Sequence, residues 1–455
     1  MESFAQNIWS KSKLLVKGLI IGLLVLLLMI PTFYVQNLIK EREERQKEAI
    51  AEVSSKWASR QNISGPVVVV PYWKAAGDTS KRVQTKHFAT FLPDDLNINS
   101  VVSPLEKHRG IYKVMLYTSK NDISATFKEI NPQKLNISQE NILWNEAFVK
   151  MYVTDTKGLN EELVVKWNNR PCLMAPQTEA EEVASGGLSA PLNLTKAEDF
   201  KNVKVSATVD LSGSEQLLFT PFGKITTVNL QSSWPHPSFT GNILPQSSNL
   251  KENGFSATWK SLAHKRNFPQ QWKDGAYVVG DQDGRSVDHA TTTTPVGNGI
   301  NTSSAAFGVD LFVPVSGYQK TMRSIKYAVL CILLTFAAFF LIETTQKKSV
   351  HPFQYGLIGL ALILFYTLLL SFSEYIGFNA SYIIASLATI GLIAWFVNGI
   401  LTSSRLTTLL AMVLLLMYTY IFTLLQLQDY ALLLGSIGLF ITLGVIMSFT
   451  RKMQW

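Results

Sequence analysis

The chain has 455 residues, too many for one ordinary domain, and its 47% hydrophobic content against 16% charged residues points to a membrane part beside a soluble one. A formal net charge of +8 would suggest nucleic acid in a soluble chain, but much of the surplus stands beside apolar runs, at Lys11, Lys13, Lys17, Lys347, Lys348, Arg405, Arg451 and Lys452. There membrane lipid is the expected partner and nucleic acid is not, while two cysteines, Cys172 and Cys331, are too few for a disulfide framework.

A short segment, 1–13, precedes the first apolar run, and residues 14–36 are predicted to form transmembrane helix 1. No small-residue cleavage site follows at Pro31-Thr32-Phe33-Tyr34-Val35-Gln36, so the run reads as a retained anchor rather than a signal peptide. Gly18 and Gly22 form a small-xxx-small face, which either packs a second helix or is ordinary glycine use in a membrane helix. Residues 37–63 read as a charged helical stalk, with Glu41 and Arg45, and Glu43 and Lys47, at stabilising i,i+4 spacing. Ala49, Ile50, Val53 and Trp57 then make an apolar stripe by which the stalk is expected to land on a folded domain.

From Ser64 the period changes. Gly65-Pro66 precedes the valine run Val67–Val70, and Ile111–Tyr117 and Phe148–Val153 are rich in aromatic and β-branched residues. In Val203–Leu211 every second residue is apolar, so one face is core and the other is wet. Thr226, Val228 and Leu230, then Phe255, Ala257 and Trp259, repeat the alternation. Residues 64–324 are therefore expected to be a large antiparallel β-rich domain, as one sandwich or as two cut near 186–191. In Ser232–Pro245 the two prolines Pro235 and Pro237 hold Trp234, His236 and Phe239 on a stiff loop. That loop is either a partner surface or a strand end whose aromatics fill the core.

Residues 325–450 carry five more apolar runs, at about 325–343, 353–372, 381–400, 406–427 and 430–449, and 451–455 form a tail. The fold class is thus membrane α plus soluble β: six transmembrane helices, one N-terminal and five C-terminal, with the β-rich domain inserted between helices 1 and 2. Short-loop charge places both termini in the cytoplasm, because Lys347, Lys348, Arg405, Arg451 and Lys452 then fall inside while the outer loops hold Glu374 and Asp429. Lys326, Glu343, Glu374 and Asp429 are read as helix-end or loop residues, and Thr335, Thr367, Thr389 and Asn398 as interhelical hydrogen bonders, which disfavours an ion-coupled carrier.

Reactive constellations are missing from the sequence. The six histidines are scattered without HExxH or Cys/His spacing, and neither a GxSxG elbow nor a phosphate loop stands in context. Asp281-Gln282-Asp283-Gly284 starts like a calcium loop but lacks the later acidic ligand and reads as a turn. No cofactor and no metal are expected, and the chain is not read as an enzyme.

Several passages together resemble the CreD family of bacterial inner-membrane proteins, named for cell-envelope integrity. They are Ser64-Gly65-Pro66 with the valine strand, Val153-Thr154-Asp155 with Gly158, Trp234-Pro235-His236-Pro237-Ser238-Phe239, and Phe255-x-Ala257-x-Trp259. In the apolar third they are Lys326-Tyr327-Ala328, Leu334-Thr335-Phe336, Phe339-Phe340, His351-Pro352-x-Gln354-Tyr355, Phe365-Tyr366, Ser373-Glu374 and Ala431–Gly435. The resemblance implies an inner-membrane protein with a periplasmic domain and a role in envelope maintenance, its expression tied to a two-component signalling system. It implies no catalytic residue. Asp155, Gly158, Trp234, Pro235, His236, Pro237, Phe239 and Trp259 are the candidate motif or interaction residues, and the expected partners are membrane lipid and an envelope protein. The alternative is a transporter or lipid-handling carrier that uses the helix bundle.

Overall fold

A computed structural model describes residues 2–76, 83–176, 187–194, 196–279, 300–311, 317–346, 350–401, 403–427 and 433–438, with 440, 441, 444 and 447. The turn expected at 281–284, the cations Lys347, Lys348, Arg451 and Lys452, and Asp429 lie outside those residues. The chain divides into two compact units, residues 1–48 with 315–455, and residues 49–314.

The first unit is helical. Helix α1 (Glu2–Trp57) runs without a break from the apolar segment into the charged one. Its polar stretch is laced as the spacing predicts, by Arg45–Glu41 at 2.7 Å and Lys47–Glu43 at 3.7 Å. After the second unit come α2 (Gly317–Ile325), α3 (Ala328–Gln346), α4 (Pro352–Ile376), α5 (Phe378–Leu401) and α6 (Ser404–Gln426). Among the described residues four helices are long and apolar enough to cross a membrane, or five if α2 and α3, bent by 44° at their junction, are counted together as one span. Half of the sixth expected run, 430–449, falls outside the described residues, although 433–438 are helical.

Polar contacts order these helices. Lys17 near the start of the α1 apolar run, Glu343 near the end of α3 and Tyr355 near the start of α4 meet at one end. Arg42 beyond that run, Tyr318 at the start of α2 and Glu374 in the last turn of α4 meet at the other. Asn379 at the start of α5 accepts from Gln426 at the end of α6, at 2.8 Å. Successive spans therefore alternate in direction. The helices touch through aromatics and glycine: Phe365 of α4 lies 5.3 Å from Tyr382 of α5 and 4.6 Å from Tyr418 of α6, centroid to centroid. A Cβ on Gly359 would fall well under 3.0 Å from Leu28 of α1, whereas nothing lies within 4 Å of one on Gly18 or Gly22. Among the described residues nothing packs on the small-residue face of α1; α1 inserts Leu28 into the space that Gly359 leaves.

One other expectation for the helices is corrected. Thr335 and Thr367 donate back to Cys331 O and Leu364 O of their own helices, at 2.7 and 2.8 Å, because a threonine hydroxyl reaches the preceding turn more easily than a neighbouring helix. Asn398, accepting from Thr407 at 3.5 Å, does join two helices in the expected way. Glu343 falls three residues from the end of α3, at a helix end as expected, and it is buried.

The second unit is β-rich. Its strands are β1 (Gln61–Ala76), β2 (Val83–Phe91), β3 (Asp95–Arg109), β4 (Tyr112–Glu129), β5 (Phe148–Val153), β6 (Val164–Trp167), β7 (Arg170–Leu173), β8 (Ala175–Pro176), β9 (Leu188–Pro191), β10 (Lys201–Ser214), β11 (Gln216–Phe219), β12 (Ile225–Ser232), β13 (Pro237–Gly241), β14 (Ser247–Lys251), β15 (Gly254–Leu262), β16 (Gln271–Lys273), β17 (Tyr277–Val278), β18 (Ile300–Asn301) and β19 (Phe307–Leu311). One sheet runs β13-β19-β11-β1-β5-β9-β8, with β2 added to the second half of β1 and β16 to β2. The other runs β14-β15-β12-β3-β4-β10-β6-β7. Pairing is antiparallel, as the alternation leads one to expect, except that β1 pairs β11, β3 pairs β12 and β17 pairs β18 in parallel. Both sheets feed one hydrophobic core, to which Val203, Val205, Ala207, Val209 and Leu211 of β10 all contribute.

Candidate functional site

The motif residues collect at two corners of the β-rich unit. The first is the seat of the segment that leads from α1 into β1. Ala58 is buried, and Ser59 then donates its N–H (3.0 Å) and its hydroxyl (3.2 Å) to one carboxylate oxygen of Asp155. The other Asp155 oxygen caps the following turn, accepting from Lys157 N at 3.1 Å. Gln61, 1% exposed, completes the seat: its amide nitrogen donates to Asp155 O and Ser212 O, at 3.0 and 3.1 Å, and its amide oxygen accepts from Asp155 N. Asn62 N donates to Thr154 Oγ1 at 3.0 Å. Gly158 is buried beneath this seat, where a Cβ would collide with Ser212 O and the Gln61 amide. Arg60 adds an ion pair to Glu215 at 2.8 Å, and Arg109 donates to both oxygens of Glu52 on the last turns of α1. The apolar stripe Ala49, Ile50, Val53 and Trp57 is half-buried in the same unit.

The second corner carries the chain from one sheet to the other. β12 ends at Ser232 in one sheet and β13 begins at Pro237 in the other, so the Trp234–Pro237 loop is a sheet switch. Pro235 and Pro237 restrict the backbone, and the Trp234 indole N–H donates to His236 O at 2.9 Å, which folds the loop on itself. Phe239 packs its edge on Phe255 and Trp259 (5.9 and 5.6 Å between centroids), and Trp259 stacks on Phe307. Trp259 thus belongs to the core, Phe239 and Trp234 are half-buried against it, and His236 stands exposed.

A histidine singled out by nothing in the sequence makes the shorter of two histidine–carboxylate contacts among the described residues of this unit, the other being His108 with Glu106 at 3.4 Å. His87 Nδ1 lies 2.9 Å from Asp274 Oδ1, which also accepts from Tyr72 at 2.5 Å, and Lys74 reaches the other oxygen at 3.2 Å. Partial burial pushes the Asp274 carboxyl up, but its bonds from Tyr72 and Lys74 and the neighbouring charges outweigh that and hold it below the usual carboxylate range. The Tyr72 phenol is driven up by burial and then by that carboxylate. Residues 187 and 202 apart in sequence meet here, so local pattern carries no trace of the cluster. It ties the turn after β16 onto β1 and β2.

Lys150 of β5 is fully buried, with its ammonium 4.7 Å from the centroid of the Tyr152 ring. Burial pushes its pKa down to about 8 from the ordinary 10.5. Between pH 8 and 10 the unfolded chain therefore binds more protons than the folded one, and stability rises with pH. Below pH 8 the penalty for burying the ammonium is fully present. Urea unfolding of the full chain in detergent is expected to gain about 2 kcal/mol from pH 8 to pH 10, and Lys150→Met should be more stable at pH 7 and lose that slope. An unchanged slope in Lys150→Met would assign it to other groups.

In the helical unit the polar centre is Glu343. It accepts from Lys17 Nζ, from Val350 N at 2.7 Å and from Tyr355 OH at 2.7 Å, while Lys17 also donates to Val350 O at 2.9 Å. Lys17, read from the sequence as a lipid-facing cation, is an internal partner instead, because a carboxylate buried two helices away needs it. The His351-Pro352-x-Gln354-Tyr355 motif builds this site: His351 accepts from Phe353 N, Gln354 returns a bond to His351 N, and the capped start of α4 presents Tyr355. Among the described residues no group of three or more His, Cys, Asp or Glu side chains is placed to hold a metal ion. The two motif corners hold backbone and aromatic groups in place; their chemistry is that of a joint.

The family model described as "Inner membrane protein CreD" matches residues 13–455. Inner membrane protein CreD of Escherichia coli (strain K12) is 31% identical over 438 residues, covering 95% of this chain and 91% of that protein. Of the solved structures, an M1 zinc metallopeptidase from Deinococcus radiodurans overlays 37% of this chain and 39% of its own at 10% identity, with a TM-score of 0.18 that carries no argument about fold or chemistry.

Proposed function

This chain belongs to the CreD family of inner membrane proteins, and on that premise we propose that it supports cell-envelope integrity without catalysis, through protein or lipid contacts of its β-rich domain. In this reading that domain lies in the periplasm, six helices cross the membrane and both termini are cytoplasmic. The observation that carries the proposal is where the motif residues are spent. Asp155 and Gly158 seat the chain entering β1, and Trp234, Phe239 and Trp259 brace the sheet switch, so they serve the mounting of a domain rather than a reaction.

A strain lacking this protein is expected to admit an impermeant dye, and the full chain to restore exclusion. A chain with residues 64–311 replaced by a short linker should not, although it inserts equally well. Asn249→Cys on the exposed strand β14 reports the side in the same strains, by reaction with an impermeant thiol reagent in intact spheroplasts. Dye exclusion restored without the β-rich domain would sink the proposal in favour of the second reading, a carrier. One observation favours that reading: Lys17 and Glu343 form an ion pair within the helical unit, the kind of side-chain pair carriers use.

A further inference from the structure

Helix α2 sorts its side chains by chemistry. Tyr318, Thr321, Ser324 and Ile325 are buried in the helical unit, while Lys320 and Arg323 are half-exposed and Lys326, in the turn before α3, is exposed. Its place along the membrane normal follows from its neighbours. Tyr318 OH donates to Glu374 at 2.9 Å, in the last turn of α4, and Arg42, just past the apolar run of α1, approaches the same carboxylate at 4.0 Å. α2 therefore stands where the apolar spans end, and the 44° bend turns it away from the direction of α3. That depth is the headgroup region.

Among the described residues charge there is unbalanced. Glu374 is taken by Tyr318 and Arg42, and among the described residues no carboxylate lies within ion-pair distance of Lys320, Arg323 or Lys326. The Lys320 ammonium lies 5.6 Å from the centroid of the Phe378 ring at the start of α5, which steadies the side chain without neutralising it. We propose that these three cations form a binding site for an anionic phospholipid, its phosphate at Lys320, Arg323 and Lys326 and its acyl chains along the apolar helices. A lipid fits because the surplus charge sits at the depth of a phosphodiester with apolar helix surface directly beside it. The cations at this end run against a simple count of positive residues, and a headgroup ligand gives them a reason to be there. The inference needs only that the helices span a bilayer; it does not depend on the envelope role.

The test uses the full chain, purified in neutral detergent, stripped of lipid and offered equal amounts of dioleoylphosphatidylglycerol and dioleoylphosphatidylcholine, with retained lipid counted by native mass spectrometry. Wild type is expected to retain the anionic lipid about tenfold or more over the zwitterionic one. The triple variant Lys320→Gln/Arg323→Gln/Lys326→Gln should lose that preference, and the exposed single variant Lys326→Gln, which leaves the packed face of α2 intact, should reduce it severalfold. Arg405→Gln, at the start of α6 and the opposite end of the helices, should keep it. No preference in wild type, an undiminished preference in Lys326→Gln and the triple variant, or an equal loss in Arg405→Gln would overturn the proposal.

Discussion

Glu343→Ala is expected to cost the helical unit about 3–5 kcal/mol, because it strands an ammonium, a phenol and a backbone N–H that now share one carboxylate. The Glu343 side chain is 5% exposed and Lys17 only 21%, so water cannot fully replace the lost acceptor. Lys17→Met removes the cation but leaves Glu343 with its bonds from Val350 N and Tyr355, and the loss should be smaller, about 1–3 kcal/mol. Removing both charges while keeping an acceptor, as in Lys17→Met/Glu343→Gln, should return to within about 1 kcal/mol of wild type, since a buried ion pair stabilises little beyond a neutral pair of similar shape. The ranking is read from the midpoint of unfolding in mixed detergent micelles. A Glu343→Ala midpoint equal to wild type would show that the carboxylate carries no weight in helix packing.

That ranking was only half legible in the sequence. Lys17 and Glu343 are 326 residues apart, and each on its own looks like an ordinary residue at a membrane boundary. Local pattern reports what one element buries, so the apolar runs of α4, α5 and α6 and the alternation in β10 announced themselves, and β5 falls at the expected Phe148–Val153. Which elements meet depends on register and topology, which pattern does not carry. The parallel pairings of β1 with β11 and β3 with β12 were invisible for that reason, as were the His87–Asp274 contact and the packing of Leu28 against Gly359. Tyr318–Lys326 is too short and too charged for a span, and its helical character emerges only when Tyr318, Thr321 and Ser324 find a surface.

The motif residues show the same division. Asp155 and Gly158 stood out by resemblance, but the reason for each lies elsewhere in the chain, in Ser59, Gln61 and Ser212. His236, conspicuous between two prolines, contributes its backbone oxygen to Trp234 while its ring stays in solvent. A histidine in an unusual sequence setting was thus a poorer guide to chemistry than His87 in an ordinary strand, whose carboxylate partner arrives from the turn after β16.

Gly158→Ala should be among the most damaging single-methyl additions in the β-rich domain. The added carbon would sit well under 3.0 Å from a backbone oxygen, Ser212 O, and 2.6 Å from the Gln61 amide nitrogen that bonds to that same oxygen. Backbone in β10 is held by pairing with β4 along its length, so it cannot yield as a side chain would, and Gln61 would have to leave three hydrogen bonds to make room. Overpacking of this kind is expected to cost about 3 kcal/mol or more. Gly110→Ala isolates the alternative cause. Gly110 has a left-handed φ of +59° with nothing within 4 Å, so alanine there meets only backbone strain, about 1–2 kcal/mol. Asp155→Asn keeps one acceptor oxygen, for Ser59 or for the cap on Lys157, and turns an NH2 toward the other donor, so it should fall between wild type and Asp155→Ala, which leaves the Ser59 N–H, the Ser59 hydroxyl and the Lys157 N–H without that acceptor and should approach the glycine variant. Urea unfolding of the full chain in detergent gives the order. A Gly158→Ala chain no less stable than Gly110→Ala would mean that the segment between α1 and β1 can lift off its seat at little cost, and the joint would then be a hinge.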